Sequence, residues 1–173
     1  MYRENFVTGA EEQSLLAAIG ELPLHEAAYR QYTAKRRIVS YGAEYDFSHQ
    51  KLLPGPPIPE LLLPLRTKVA NWIQVGEEDF KHALVTEYRP GTALGWHRDT
   101  PEFGIVVGVS LANPARMRWR PYPPRKGKDP RAFALEVAPR SAYVMQRDAR
   151  WRWQHSIPPT KALRYSITFR TMR

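Results

Sequence analysis

Two histidines and one aspartate are the residues of this sequence whose types and spacing could support metal-centred chemistry. His97 and Asp99 stand two positions apart, and His155 follows much later in the chain. Two imidazoles and one carboxylate can occupy one face of an iron(II) ion and leave the other coordination positions open, as in non-haem oxygenases. The trio therefore predicts an enzyme.

The spacing of His97 and Asp99 restricts the backbone that could bring them to one metal. Side chains two residues apart share a face of an extended chain but point in nearly opposite directions on a helix. The flanking residues argue for a turn between strands: Pro90, Gly91, Gly95, Pro101 and Gly104. Because His155 is distant, the chain must form several strands and return, which requires a barrel or sandwich. The tripeptide alone is also explained by side chains that hydrogen-bond to their own loop.

The segment Leu163–Arg170 has the alternation and the β-branched and aromatic content of a strand. One face carries Tyr165, Ile167 and Phe169, and the other carries Arg164, Ser166, Thr168 and Arg170. Two guanidinium groups in one polar space are costly unless an anion meets them, and a dicarboxylate cosubstrate would do so. The alternative is a solvated edge strand with two surface arginines.

Several motifs in the second half of the chain occur in the order and spacing of a known family. They are Tyr88-Arg89-Pro90-Gly91, Leu94-Gly95-Trp96-His97-Arg98-Asp99, Ile105-Val106-Val107-Gly108-Val109-Ser110-Leu111, His155-Ser156-Ile157 and the strand from Arg164 to Arg170. In these residues the sequence resembles the AlkB-like iron(II)/2-oxoglutarate-dependent dioxygenases. The resemblance implies the cofactor iron(II), the cosubstrate 2-oxoglutarate and O2.

The resemblance also assigns roles to individual positions. It implies that His97, Asp99 and His155 are the iron ligands and form the catalytic centre. Tyr88 and Arg164 correspond to contacts with the distal carboxylate of 2-oxoglutarate, and Arg170 corresponds to the arginine near its metal-bound end. Two further cofactor-binding positions depart from the family pattern, because hydroxyl residues stand where asparagines are common: Thr86 and Ser166.

The reaction that the resemblance implies is oxidative demethylation of alkylated bases in DNA or RNA, with release of formaldehyde, succinate and CO2. Such a protein would act in DNA repair or RNA demethylation. Two alternatives stay open. The same dioxygenase chemistry could act on a protein, a lipid or a small molecule, or the fold could serve as a catalytically inactive nucleic-acid-binding module.

Length and composition favour one domain over residues 1–173. The resemblance implies that residues 1–82 supply supporting helices and a nucleotide-recognition lid. Residues 83–173 then form the jelly-roll core with the metal site. The sequence has no cysteine, which excludes disulfides, thiolate zinc sites and iron–sulfur clusters. No apolar run is long enough to span a membrane, and the first residues lack an apolar export signal. We expect a cytoplasmic protein with no membrane association and no obligate protein partner.

The net charge of +9 indicates a polyanionic partner, for which alkylated DNA or RNA is the candidate. Basic residues crowd one stretch: Arg116, Arg118, Arg120, Arg125, Lys126, Lys128 and Arg131. The alternation of Arg116–Arg120 predicts a strand with a basic face that could follow phosphates. The candidate nucleic-acid contacts in this stretch are Arg118, Arg120, Lys126 and Lys128. A solvated strand edge that resists aggregation is the alternative.

The first half of the chain predicts two helices and a strand with a hairpin. A capping box, Thr8-Gly9-Ala10-Glu11, starts a helix that Gly20 ends, and a second helix runs from about Glu60 to Val75 with Gly76 closing it. Between them, residues 36–47 predict the hairpin. In the resembled family this region covers the target base, so its candidate substrate contacts are Arg36, Tyr45 and Phe47, although core packing explains Phe47 equally well.

Seven short strands with turn signals follow the helices. Their predicted ranges are Ala83–Arg89, Ile105–Leu111, Arg116–Arg120, Phe133–Val137, Ala142–Gln146, Trp151–His155 and Leu163–Arg170. The fold class is therefore α+β and mainly β, with a double-stranded β-helix (jelly-roll) core supported by N-terminal helices. Two smaller expectations concern the site: Trp96 walls the pocket, and His82 is a surface or hydrogen-bonded residue without a ligand role.

Overall fold

The computed structural model describes residues 1–29, 32–46, 51–127 and 129–173, and of residues 27–29, 32–34 and 44–46 it describes the backbone alone. The elements in chain order are β1 (Tyr2–Arg3), α1 (Gly9–Gly20), β2 (His25–Tyr29), β3 (Tyr32–Tyr41), β4 (Ala43–Asp46), β5 (Lys51–Pro54), α2 (Leu63–Ile73), β6 (Phe80–Tyr88), β7 (Leu94–His97), β8 (Phe103–Leu111), β9 (Ala115–Pro121), β10 (Phe133–Val137), β11 (Ser141–Met145), α3 (Asp148–Trp151), β12 (Trp153–Ile157) and β13 (Arg164–Met172). Two short 3-10 turns, Glu60–Leu62 and Glu77–Asp79, flank α2.

Two antiparallel sheets form the core. The larger sheet has the strand order β1-β11-β8-β13-β6-β3-β2, and the smaller sheet has the order β10-β9-β12-β7. A cluster that includes Met117, Trp119, Val106 and Ile157 joins the two sheets, because its members come from strands of both. The predicted jelly-roll class is confirmed, and strands β1, β2 and β3 extend the larger sheet beyond residues 83–173.

The two long helices cover the other face of the larger sheet. Leu15 and Ile19 of α1 and Val69 of α2 pack in one cluster with Val85 and Phe169 of the sheet. Burying one such aliphatic side chain contributes roughly 1.5–3 kcal/mol, so this contact is a main source of stability. The alternation predicted for the last strand is confirmed, since Ile167 and Phe169 lie in this helix-facing cluster.

The helix boundaries agree with the sequence at the first helix and differ at the second. The Thr8 side-chain oxygen accepts from the Glu11 backbone N–H at 3.1 Å, and the Glu11 carboxylate accepts from the Thr8 N–H at 2.6 Å, so the capping box is confirmed. Helix α2 ends earlier than predicted, because Gln74 adopts a left-handed conformation with φ of 58°. The prediction that Gly76 closes this helix was therefore wrong.

The strand in residues 36–47 is confirmed, but its hairpin differs from the prediction. Strand β3 pairs with β2 and β6 in the larger sheet, whereas β4 pairs with β5 outside it. The chain leaves the sheet at Gly42, which has φ of +78° and where a Cβ would lie 1.9 Å from the Lys81 carbonyl oxygen. Only glycine fits such a position, so Gly42 separates the sheet from the β4–β5 pair.

The seven predicted strands are all present, with small shifts at their ends. Trp151 lies in α3 instead of the predicted strand, which begins at Trp153. The turn predicted before His97 contains strand β7, which pairs with β12. In the described part of the chain, no helix has the length and apolar character that crossing a membrane requires.

Candidate metal centre and cosubstrate site

The structure brings His97, Asp99 and His155 together. One ligand atom from each lies within 4.8 Å of the other two, and the two imidazole centroids are 4.1 Å apart. The sheet register causes this approach, because His155 of β12 lies directly opposite His97 at the end of β7. Asp99 follows two residues later, just beyond the end of β7 and outside any helix.

Hydrogen bonds orient two of the three candidate ligands. His97 Nδ1 lies 2.9 Å from the Gly95 carbonyl oxygen. A carbonyl oxygen only accepts, so Nδ1 carries the proton and Nε2 is left with a lone pair for a metal. The Asp99 Oδ1 accepts from Nε and Nη2 of Arg170 at 3.0 and 2.9 Å, while Oδ2 lies 3.9 Å from His155 Nε2. The second carboxylate oxygen therefore points towards the imidazoles.

The charges of the site suit a divalent cation at neutral pH. Burial opposes ionisation of Asp99, but Arg170 and the two imidazoles hold the pKa of this carboxyl well below its ordinary value. Burial lowers the pKa of His97, and it lowers that of His155 to about 3. The contact between His155 and Asp99 is thus not an ion pair. Metal binding requires a carboxylate and neutral imidazoles, and the structure supplies both.

His82 belongs to the surroundings of this site, which the sequence did not indicate. It is buried on β6, and its Nδ1 lies 3.2 Å from Arg170 Nη1 while its Nε2 lies 2.9 Å from Ser40 Oγ. A guanidinium only donates, so Nδ1 accepts and Nε2–H donates to Ser40, which donates to the Ala43 carbonyl at 2.8 Å. A chain of hydrogen bonds therefore connects Asp99, through Arg170, to the start of β4.

The buried histidines predict acid sensitivity of the metal-free protein. Burial, with the charge of Arg170, lowers the pKa of His82 to about 2, and His155 titrates near 3, whereas both have values near 6.5 when unfolded. Between pH 6.5 and about 3 the unfolded chain binds more protons, so stability is complete above pH 6.5 and falls as the pH drops. Each histidine contributes a slope of up to about 1.4 kcal/mol per pH unit.

Urea unfolding in the presence of a chelator, at pH 7.5 and at pH 5.5, checks this expectation. The variant His82→Gln keeps an acceptor for Arg170 and a donor for Ser40 but does not titrate in this range. We expect it to lose less stability between the two pH values than the wild type. An equal loss in both proteins would contradict the buried, neutral state of His82.

Arg164 is a buried cation whose charge the described residues leave unmatched. Its side chain has 0% exposure, and Nε donates to Ser110 Oγ at 2.9 Å. Within the part of the chain that the structure describes, neither terminal nitrogen has a hydrogen-bond partner. A buried, unpaired guanidinium is expensive, and a carboxylate that accepts from both nitrogens would relieve it. Arg164 and Arg170 share the face of β13 opposite Ile167 and Phe169, and the donor set fits an organic dicarboxylate.

The other predicted cosubstrate residues share this face of the sheet. Tyr88 lies opposite Arg164, with the guanidinium 5.1 Å from the ring centroid, and Thr86 lies opposite Ser166. Tyr143 of β11 joins them, although the sequence did not single it out. Its ring occupies the space where a side chain at residue 108 would lie, since a Cβ on Gly108 would be 2.3 Å from it. Gly108 thus allows the Tyr143 phenol to approach Arg164, whose charge opposes the rise in the Tyr143 pKa that burial causes.

The candidate nucleic-acid residues divide between two faces of the molecule. Arg36 lies near the metal site, where burial and the charge of Arg170 lower its pKa and where its own charge helps to lower that of His97. Arg118 and Arg120 lie on the opposite face of the smaller sheet from His155, because the buried Trp119 pairs with His155 and its partly exposed neighbours alternate with it along β9. The exposed Lys126 is in the loop after β9. The side chain of Tyr45 and all of Phe47 and Lys128 lie outside the described residues.

Trp119, and not Trp96, lies beside the metal site. The Trp119 ring is 5.4 Å from the His155 ring and stacks on Phe133 at 6.0 Å. Trp96 instead contacts Arg118 and Arg120, so the prediction that it walls the pocket was wrong. The reason is the alternation of β7, which directs His97 and Trp96 to opposite faces. A residue next to a candidate metal ligand in the sequence therefore need not face the metal site.

Comparison with known proteins gives the family. Residues 11–170 match the sequence model of the 2OG-Fe(II) oxygenase superfamily. The chain is 28% identical over 185 residues to the uncharacterized protein L905 of Acanthamoeba polyphaga mimivirus, covering 97% of this chain and 82% of that protein. It is also 28% identical over 178 residues to the alkylated DNA repair protein ALKBH8 homolog of Arabidopsis thaliana, covering 91% of this chain but 50% of the plant protein.

A solved structure shares the fold. The structure of OsALKBH1 superposes with a TM-score of 0.71 at 16% sequence identity, covering 98% of this chain and 95% of that one. The family uses iron(II), 2-oxoglutarate and O2, and the trio His97, Asp99 and His155 could hold the iron. The chain belongs to the 2OG-Fe(II) oxygenase superfamily, and within it the chain is similar in sequence to an ALKBH8 homolog.

Proposed function

We propose that this dioxygenase oxidatively demethylates alkylated bases in DNA or RNA. The observation that supports this proposal most is the pairing of a two-histidine, one-carboxylate cluster with the buried, unmatched guanidinium of Arg164. The net charge of +9 favours a polyanionic substrate. The plant relative is named as an alkylated DNA repair protein.

In this proposal, His97, Asp99 and His155 hold iron(II), and Arg170 orients Asp99. Arg164 takes the distal carboxylate of 2-oxoglutarate through its two terminal nitrogens, with Tyr88, Thr86 and Ser166 as neighbouring hydroxyl groups. When bound, iron(II) with 2-oxoglutarate and O2 supplies the oxidising power that converts a C–H bond into C–OH, while 2-oxoglutarate becomes succinate and CO2. A hydroxymethyl group on a base nitrogen then leaves as formaldehyde and restores the N–H.

The target base would enter beside Arg36, which lies near the candidate metal centre. We propose that the β4–β5 pair is the lid over this base, because the chain leaves the larger sheet at Gly42 and returns only after Pro54. Tyr45 on β4 and Phe47 after it are the proposed stacking residues. The hydrogen-bond chain from Ala43 through Ser40, His82 and Arg170 would then link the base of the lid to an iron ligand.

Mass spectrometry of a panel of methylated oligonucleotides tests this function. After incubation with iron(II), 2-oxoglutarate and ascorbate, we expect at least one oligonucleotide to lose the mass of one CH2 unit per demethylation. His97→Ala, which removes a proposed iron ligand, should leave the panel unchanged. Succinate formed without a change in any oligonucleotide would favour another substrate class, and no succinate at all would favour an inactive binding module.

A further inference from the structure

The outer face of the smaller sheet carries three arginines that contact two aromatic rings. We call it the arginine–tryptophan face and define it by Trp96, Arg98, Arg118, Arg120 and Tyr122. The guanidinium groups of Arg118 and Arg120 lie 5.1 and 4.4 Å from the Trp96 ring centroid, and that of Arg98 lies 3.7 Å from the Tyr122 ring centroid. These residues thus form three cation–π contacts, two of which share the Trp96 ring.

Hydrogen bonds within the sheet hold these arginines in place. Arg118 Nε donates to Ser156 Oγ at 3.0 Å, and Arg120 Nε donates to Gln154 Oε1 at 2.8 Å, both on the neighbouring strand β12. Each bond uses the Nε atom, so the two terminal nitrogens of the guanidinium take no part in it. The arginines are therefore pre-organised, so that binding a ligand costs less side-chain entropy than it would for unrestrained side chains.

The charges of this face are not neutralised by the described part of the protein. Among the residues that the structure describes, ion pairs with carboxylates are formed by arginines such as Arg37, Arg89 and Arg131, but by none of the three arginines of this face. Arg118 and Arg120 are two residues apart on β9, which places their backbones about 7 Å apart. Two guanidinium groups on residues at this spacing, beside the partly exposed ring of Trp96, suit the phosphates and stacking bases of one nucleic-acid strand.

We infer that the arginine–tryptophan face binds single-stranded nucleic acid and holds the part of the strand that flanks the target base. This inference rests on the proposed function for the identity of the target. The face lies on the side of the sheet opposite to His155, so it cannot touch the base that reacts. Its contribution is affinity for the strand, whereas the iron site and Arg36 act on the base.

Fluorescence anisotropy of the full chain with a labelled, unmodified single-stranded oligonucleotide tests the inference. The double variant Arg118→Gln/Arg120→Gln should bind at least about 10-fold more weakly, because two phosphate contacts are lost. The slope of log K against log salt should fall by about 1.4, from about 0.7 for each contact to a single strand. Trp96→Leu keeps all charges, so it should bind about 5-fold more weakly or worse with an unchanged salt slope.

The matched control is Arg3→Gln/Arg66→Gln, which also removes two positive charges but lies on β1 and α2, away from this face. Circular dichroism melting verifies that each variant is folded before binding is measured. Equal weakening by the control and the test variant, or no weakening by the test variant, would overturn the inference. Tighter binding of a blunt duplex than of the single strand would overturn the assignment to single strands.

Binding of unmodified oligonucleotide does not depend on turnover, so the two proposals can fail separately. Specific weakening by Arg118→Gln/Arg120→Gln without demethylation in the methylated panel would support this face and reject the proposed reaction. Demethylation in the panel together with unchanged binding of the double variant would support the proposed reaction and reject the arginine–tryptophan face as a binding site.

Discussion

His155→Ala should abolish iron(II) binding and all iron-dependent succinate formation. The substitution removes one of three side chains whose ligand atoms lie within 4.8 Å of one another. Loss of a hydrogen-bond partner behind a ligand typically costs about 10–100-fold in metal affinity or activity, and loss of a ligand itself should cost more. The metal-free variant should still fold, because His155 is neutral and its removal leaves no charge unpaired.

Titration calorimetry with manganese(II) or anaerobic iron(II), together with a succinate assay, measures this effect. His25→Ala is the matched control, since His25 is an exposed histidine on β2 of the larger sheet. Wild-type affinity in His25→Ala and no measurable binding in His155→Ala is the expected pair of results. Full metal binding by folded His155→Ala would show that the cluster is not the metal centre.

Arg164→Met should weaken the binding of 2-oxoglutarate by at least about 30-fold. Truncating one partner of a buried, hydrogen-bonded charge pair costs about 2–5 kcal/mol, which corresponds to a factor of about 30 to several thousand. The same substitution should not destabilise the protein without ligands, and is expected to stabilise it, because it removes a buried guanidinium whose terminal nitrogens are unpaired. Opposite effects on ligand binding and on folding distinguish a ligand-binding arginine from a structural one.

Thermal unfolding with manganese(II) and increasing 2-oxoglutarate measures both effects at once. A ligand that binds only the folded state raises stability with the logarithm of its concentration. The wild-type melting temperature should rise with 2-oxoglutarate, and that of Arg164→Met should not. Arg164→Lys should recover only part of the rise, because an ammonium cannot form the two parallel bonds of a guanidinium. If 2-oxoglutarate raised the melting temperatures of wild type and Arg164→Met equally, Arg164 would not be a cosubstrate-binding residue.

The sequence predicted the structure correctly where the pattern of residues a few positions apart determines the backbone conformation. Alternation in Leu163–Arg170 predicted which face of β13 would be buried with the helices and which would carry Arg164 and Arg170. The capping box at Thr8 predicted the start of α1. The spacing of His97 and Asp99 excluded a helix and left extended or turn backbone. Each of these features depends on residues a few positions apart, so no knowledge of the tertiary fold was needed.

The features that the sequence did not reveal depend on which strands are neighbours and in what register. His82 reaches Arg170 only because residue 82 of β6 lies opposite residue 170 of β13. Trp119 reaches His155 because β9 and β12 pair with these residues opposite each other. Trp96, although adjacent to His97 in the chain, points to the other face and forms the arginine–tryptophan face instead. A single sequence does not specify these pairings over such separations.

The most direct test of the metal and cosubstrate site is a crystal structure of the full chain grown with manganese(II) and 2-oxoglutarate, with anomalous data that locate the manganese. We expect one manganese ion bonded to Nε2 of His97, a carboxylate oxygen of Asp99 and Nε2 of His155. The distal carboxylate of 2-oxoglutarate should accept from both terminal nitrogens of Arg164. An ion bound elsewhere, or a 2-oxoglutarate whose carboxylate leaves Arg164 unpaired, would contradict the account.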